Sequence, residues 1–82
     1  MDIRKEVGKR LQSARKAAGL TQTEVAQRLG MKQQAYARYE GGIFELDYQK
    51  IILLCRMLGT KPDFLFGFED EDGFPVAQNS VE

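Results

Sequence analysis

The chain has 82 residues, 43% hydrophobic and 29% charged, which suits one small domain with a single core but not a deep catalytic cavity. The net charge is zero, but residues 1–38 hold nine Lys and Arg against three acids, and residues 39–82 hold three against nine, so the front half suits a polyanionic partner. With no histidine, one cysteine and a longest apolar run of only 51–55, we predict a cytoplasmic protein that is not an enzyme and has no metal, cofactor or membrane span.

Two helices are predicted in the front half. Apolar residues recur at helical spacing from Ile3 onward, which predicts a first helix over about 3–18. Thr21 and Glu24 then fit the capping box, in which each side chain bonds the other residue's backbone amide. A second helix is therefore predicted over about 22–29, before a glycine that can adopt positive φ.

Three further helices are predicted after this glycine. The third covers about 33–40 and is ended by two glycines. Asp47 is a good N-cap for a fourth helix over about 48–58, and Pro62 suits the first turn of a fifth over about 62–66. The fold class predicted is therefore all-α, with five helices.

The end of the chain has a different composition. Residues 69–82 contain four consecutive acids, a glycine and a proline, without helical periodicity. We predict a domain over 1–68 and an acidic, flexible tail over 69–82.

Helices 2 and 3 have the features of a helix-turn-helix. Ala26 is small enough to let the two helices approach closely, and Gly30 turns the chain between them. On the third helix, Tyr36 and Tyr39 point toward the core, while the opposite face carries other side chains. These outward residues are Gln33, Gln34, Ala37 and Arg38.

The outward residues suit the major groove of DNA. A glutamine amide can bond adenine, an arginine can bond guanine, and an alanine methyl can touch the thymine methyl. The alternative is that Gln and Arg are simply good, soluble helix formers on a face that meets water. The turn motif favours base reading.

The run GLTQTEVAQRLGMKQQAYARYEGG closely resembles the phage repressor and Cro family of helix-turn-helix proteins, also called the XRE family. The likeness extends over about 5–67, because LCRMLGTKPDFLFG resembles that family's closing helices. The resemblance implies a lambda-repressor-like five-helix bundle. It also implies a sequence-specific, double-stranded-DNA-binding transcriptional regulator, expected to be a repressor that acts as a homodimer on a palindromic operator.

Further residue roles follow from this resemblance. The family uses a glutamine at the start of helix 2, here Gln22, to clamp a phosphate, and free amides at that end also favour an anion. Thr21, Thr23 and Lys32 are further candidates for phosphate contacts, although Thr21 is equally suited to capping alone. The resemblance also implies a structural ion pair, which ties the first helix to the third and is formed by Arg15 and Glu40.

Three positions depart from the family pattern. Lys32 replaces a Ser or Thr cap, so a bound phosphate would have to supply the missing acceptor. The loop 43–45 lacks the Lys or Arg that often meets phosphates there, which predicts weaker non-specific binding. Tyr36 replaces an Ile or Val, so the packing beneath the third helix must differ.

Self-association is predicted from apolar residues that lie off the inward face of the fourth helix and near the fifth. A monomer, in which these residues only complete the core, is the alternative. The predicted interface residues are Leu53, Met57, Phe64, Phe66 and Phe68.

Two other functions remain open. The chain could be an antitoxin-type DNA-binding protein whose rear half also binds a partner protein. It could also be a protein-interaction module that has the fold without the DNA role, which the zero net charge supports. Affinity for mixed DNA that falls with salt would favour a DNA reader over an interaction module.

Overall fold

Five segments, each bounded by a residue suited to a helix end, fold as α-helices in the computed structural model, which describes residues 2–76. All five predicted helices are confirmed, and their ends agree with the prediction to within one residue. The helices are α1 Ile3–Ala17, α2 Gln22–Arg28, α3 Gln33–Glu40, α4 Tyr48–Leu58 and α5 Pro62–Leu65.

Side-chain caps explain where most of the helices begin. Thr21 and Glu24 form the predicted capping box, with the Glu24 amide 3.1 Å from Thr21 Oγ1 and the Thr21 amide 2.9 Å from the Glu24 carboxylate. Asp47 caps α4 by accepting from the backbone amide of Lys50 at 2.8 Å. As predicted, Lys32 provides no side-chain cap for α3.

The core contains one fully buried large side chain from every helix. Because each of the five helices contributes to the same cluster, none can be removed without opening the core. Tyr36 lies at the centre of α3, so this helix is held from beneath. The five side chains are Leu11, Val25, Tyr36, Leu54 and Leu65.

A glycine lets α1 pass close to the end of α3. A Cβ atom at Gly8 would lie 2.7 Å from the carbonyl oxygen of Tyr39, and it would lie closer still to that of Glu40. Real Cβ atoms do not approach backbone so closely. The separation of α1 and α3 at this point therefore depends on the missing side chain.

The first part of the acidic segment forms a turn that the sequence analysis did not predict. The Asp70 carboxylate accepts from the amides of Asp72 and Phe74, both at 2.9 Å, and the Val76 amide donates to the Phe68 carbonyl at 3.0 Å. Residues 77–82 lie outside the described part of the chain. The division into a 1–68 domain and a flexible tail stays a prediction.

None of the helices in the described part of the chain has both the length and the apolar character that crossing a membrane would require.

Candidate nucleic-acid interface

The turn between α2 and α3 fixes the relative position of the two helices. The amide of Met31 donates to the Ala26 carbonyl at 3.0 Å, and Gly30 adopts the left-handed conformation with φ of +70°. Val25 and Ala26 are buried beneath the turn. This local geometry orients α3 as a unit, with one face on the core and the other toward solvent.

The outer face of α3 carries the four predicted base-contact residues. Gln34 and Arg38 are exposed, while Gln33 and Ala37 are half-buried beside them. The inner face carries Tyr36, which has no exposed surface. The structure thus brings the four side chains together on one polar strip along a helix.

The first residue of α3 is connected to the first residue of α2. Gln33 Nε2 donates to Gln22 Oε1 at 2.7 Å, and Gln22 Nε2 donates to Glu40 Oε1 at 2.9 Å. The chain of hydrogen bonds therefore runs from the outer face of α3 to the carboxylate of Glu40, whose side chain is 2% exposed. Neither bond was predicted from the sequence.

The buried carboxylate lies in a network of donors. Arg15 Nε is 2.7 Å from Glu40 Oε2, and Arg15 Nη2 is 3.2 Å from Oε1. The Tyr36 hydroxyl donates to Oε2 at 2.6 Å, and Arg15 Nη1 donates to the Leu20 carbonyl at 2.8 Å. Arg15 and Glu40 thus form an ion pair that joins α1 to the last turn of α3.

The pKa values of these groups keep the network charged. Burial raises the pKa of the Glu40 carboxyl, but the hydrogen bonds that it accepts outweigh burial and hold the pKa below its ordinary value. Burial, reinforced by Glu40, raises the pKa of Tyr36 well above its ordinary range. The hydrogen bond to Glu40 raises the pKa of Arg15. At neutral pH Glu40 is therefore an acceptor only, and Tyr36 is a donor to it.

The predicted phosphate contacts surround the start of α2 and α3. Thr21 already uses its oxygen in the capping box, which leaves its hydroxyl proton free to donate. Thr23 and Lys32 are exposed. Gln22 is half-buried and engaged on both sides, but its Nε2 carries two protons and only one of them meets Glu40. Each of these four residues keeps a donor for an anion.

The loop after α3 supports Arg38 with an aromatic ring in place of a second basic residue. The amides of Ile43 and Phe44 both donate to the Arg38 carbonyl, at 2.9 and 3.1 Å. The Arg38 guanidinium lies 5.5 Å from the centre of the Phe44 ring, which packs edge-on against Tyr39 at 5.7 Å. This cation–π contact was not predicted.

The predicted dimer residues divide into two groups. Leu53, Phe66 and Phe68 are 41%, 39% and 62% exposed. Met57 and Phe64 are half-buried and pack against the core. The structure therefore gives the second pair a role inside the monomer, whatever else it contacts.

An apolar groove of about 220 Å³, which the sequence analysis missed, lies beside α4 and α5. Phe66 lines it, as do residues of α1 and of the loop after α3. The apolar lining residues include Ile3, Val7, Phe44, Leu46 and Ile51.

Comparison with known families agrees with this geometry. A model of the helix-turn-helix family matches residues 11–65, which include all of α2, α3, α4 and α5. The chain therefore belongs to the helix-turn-helix family of the phage repressor and Cro type, and the predicted resemblance is confirmed. The family supports DNA-binding regulation of transcription, a function class that is typically non-enzymatic.

Three relatives from Bacillus subtilis strain 168 are named as HTH-type transcriptional regulators. The SPbeta prophage-derived YonR is 38% identical over 58 residues, which are 71% of this chain and 54% of the relative. YqaE is 36% identical over 62 residues, 76% of this chain and 53% of the relative. ImmR is 31% identical over 64 residues, 78% and 50% respectively. The chain thus spans about half the length of these relatives.

Proposed function

We propose that this protein is a sequence-specific regulator of transcription that inserts α3 into the major groove of double-stranded DNA. The observation that carries the proposal is the outer strip of α3, whose polar side chains project from a helix that is anchored on its other face by Tyr36 and Glu40. The family supplies the DNA-binding function class. We also infer a cytoplasmic location, where the DNA would be accessible.

Each residue of the strip has a chemical match on a base edge. Gln33 and Gln34 can bond adenine N6 and N7, and Arg38 can bond guanine O6 and N7. The methyl group of Ala37 suits the thymine methyl. We therefore assign base contacts to these four residues.

Phosphate contacts are assigned to the donors around the helix starts. These contacts position the protein on the duplex and depend on salt, but they carry no sequence information. The residues are Gln22, Thr21, Thr23 and Lys32.

A homodimer would let two copies of α3 read a palindromic site. Half-sites in such operators lie about one DNA turn, or roughly 34 Å, apart. The exposed side chains of Leu53, Phe66 and Phe68 provide apolar surface for the contact. A repressor would act by covering a promoter, and we infer this mode of action for the homodimer.

Selection of bound sequences from a random DNA pool tests base reading. We expect an enriched motif with two related half-sites. For mixed DNA, the logarithm of the binding constant should fall linearly with the logarithm of the salt concentration, with a slope of roughly −0.9 per phosphate contact. After the sequence-independent binding to phosphates is subtracted, a part of the affinity that depends on the DNA sequence should remain. Binding without an enriched motif would contradict base reading, and no DNA binding at all would leave a protein-interaction module.

A matched pair of glutamine variants tests the phosphate assignment. Gln22→Ala should weaken binding to all sequences, because a phosphate donor is lost. Gln12→Ala is the control, since Gln12 is exposed on α1 and has no assigned contact. Equal affinity of the two variants for mixed DNA would contradict the assignment.

Sedimentation of the free protein and of its DNA complex tests the homodimer. Two protomers per palindromic site are expected, and Leu53→Lys should reduce that number or weaken the second binding step. A sequence-specific complex that contains one protomer would contradict the dimer while leaving base reading intact. Binding of a separate partner protein to the same surface would favour the antitoxin-type alternative.

A further inference from the structure

The hydrogen-bond chain that ends at Gln33 has a fixed direction. Glu40 is ionised and carries no proton, so Gln22 can meet it only with the donor nitrogen Nε2, as the 2.9 Å contact shows. The carbonyl oxygen of Gln22 then faces Gln33. Because this oxygen can only accept, Gln33 must donate to it, and its Nε2 does so at 2.7 Å. Both amides are thereby oriented.

The consequence at the outer surface is a defined pattern of donor and acceptor. Gln33 keeps its carbonyl oxygen Oε1 free and keeps one N–H of Nε2 free. Adenine offers an N6 donor and an N7 acceptor in the major groove, whereas guanine offers two acceptors. The free groups of Gln33 match adenine and do not match guanine.

We propose that Glu40 is a positioning residue for base specificity, which acts through Gln22 to make Gln33 select adenine over guanine. The proposal rests on the base-reading function proposed for α3. It assigns to the buried carboxylate a second role, beyond joining α1 to α3. Arg15 contributes by holding the carboxylate in place with two hydrogen bonds.

The network predicts a specific consequence of Glu40→Gln. Arg15 Nε and the Tyr36 hydroxyl both donate to Oε2, so a glutamine at position 40 should place its carbonyl oxygen there. Its amide nitrogen would then face Gln22. The 3.2 Å hydrogen bond from Arg15 Nη2 would be lost, because two donors would face each other there.

A donor facing Gln22 reverses the chain of amides. Gln22 must turn its oxygen toward position 40 and its nitrogen toward Gln33. Gln33 must in turn accept with its oxygen. Its two N–H groups are then left to face the DNA, and they match guanine.

A second variant restores the original direction. In the double variant Gln22→Glu/Glu40→Gln, the carboxylate moves to position 22 and accepts from Gln33 Nε2, as the oxygen of Gln22 does in the wild type. Adenine preference should therefore return. Overall affinity should fall, because a negative charge now lies near the phosphates.

The experiment measures binding to four duplexes that differ only at the base pair read by Gln33, which is located by comparing motifs selected by the wild type and by Gln33→Ala. We expect the wild type to prefer adenine over guanine by about tenfold. Glu40→Gln should reverse the preference, and the double variant should restore it. Tyr36→Phe is the control, because it perturbs the same network but leaves an acceptor-only carboxylate, so adenine preference should persist.

A further variant covers the case in which Glu40→Gln does not fold, which thermal unfolding would reveal. Gln22→Met is close in size, lies at a helix start and interrupts the chain of amides, while both hydrogen bonds between Arg15 and Glu40 remain. Gln33 is then free to turn either way, so the adenine-to-guanine ratio should fall toward one.

The outcomes distinguish the positioning role of Glu40 from the base-reading function of α3 on which it rests. A motif that depends on Gln33 but keeps the same adenine-to-guanine ratio in Glu40→Gln, or in Gln22→Met, would overturn the positioning role alone. A wild type that shows no base preference at any position would overturn base reading as well.

Discussion

The two ends of α3 hold their outward side chains in different ways. At the first residue, Gln33 is tied by two successive hydrogen bonds, of 2.7 and 2.9 Å, to a buried carboxylate. Near the last turn, Arg38 lies over the exposed ring of Phe44, with 5.5 Å between the guanidinium carbon and the ring centre.

The two supports differ in how much they can specify. A hydrogen bond distinguishes donor from acceptor, so the Gln33 end determines which atom faces outward. A cation–π contact attracts the guanidinium to the ring face without selecting one N–H group over another. We therefore expect the support at Gln33 to determine which amide atom faces the base, and the support at Arg38 to determine only where the guanidinium lies. The match of Arg38 to guanine then depends on the donors of the guanidinium itself.

The largest expected effect comes from removing the anchor of the first end. Glu40→Ala leaves the guanidinium of Arg15 and the hydroxyl of Tyr36 buried without their acceptor. Breaking a buried ion pair on one side destabilises a protein by about 3–5 kcal/mol. Urea unfolding measures this loss. Glu45→Ala is the control, since the loss of this exposed carboxylate should change stability by less than about 0.5 kcal/mol. Similar losses of stability in the two variants would contradict a structural role for the network.

Removing the reading side chains should have a smaller effect, on binding and not on folding. Gln33→Ala and Arg38→Ala should each weaken binding to the selected site by about 1–3 kcal/mol and relax base preference locally. Titration against single-base variants of the site measures both effects. Arg56→Ala, which removes an exposed arginine on α4, is the control. Unchanged discrimination in both reading variants would contradict the assignment.

The charge of Glu40 predicts a pH dependence of stability. Its pKa in the folded protein lies below the ordinary 4.5, so the unfolded chain takes up this proton first as the pH falls. The stability contributed by the carboxylate is therefore present above about pH 4.5 and is lost as the pH falls through the folded pKa.

Comparison with Glu40→Gln isolates this contribution. The pKa values of Glu24 and Asp47 are also lowered, in each case chiefly by a backbone hydrogen bond, but both residues are present in both proteins. The difference in unfolding free energy between wild type and variant should therefore shrink below pH 4.5. A difference that stays constant with pH would contradict an ionised Glu40.

The smallest expected effect concerns the second end of α3. Phe44→Leu removes the ring beneath Arg38 but keeps an apolar side chain against Tyr39. Exposed cation–π contacts contribute about 0.5–1 kcal/mol, so binding to the selected site should weaken by no more than that amount. The loss should disappear in the Arg38→Ala background, which a double-mutant cycle measures. A loss that persists there would show that Phe44 acts independently of Arg38.

The sequence predicted the helices well because their signals are local. Thr21 and Glu24 are three residues apart, and the periodicity of α3 alone separates Tyr36 from Arg38. The network around Glu40 joins residues on three helices, and no local pattern specifies which atoms meet. One signal was available, since Tyr36 and Glu40 are four residues apart and therefore lie on the same side of a helix.

The rear half was predicted less completely for a related reason. Met57 lies off the simple inward stripe of α4 and Phe64 lies on the short helix α5, yet both pack against the core. The turn closed by Asp70 depends on backbone amides that a composition-based reading does not register. Composition indicated only the charge of this segment.

The contact at Gly8 has a consequence for anyone who wishes to redesign this protein. The outward residues of α3 can be exchanged for those of another regulator, because they do not enter the core. Residue 8 has no such freedom: even an alanine would press on the carbonyl groups at the end of α3, so that α1 and α3 would have to move apart there. A transplanted set of reading residues would then meet the base pairs at the wrong angle, although every one of them was correct.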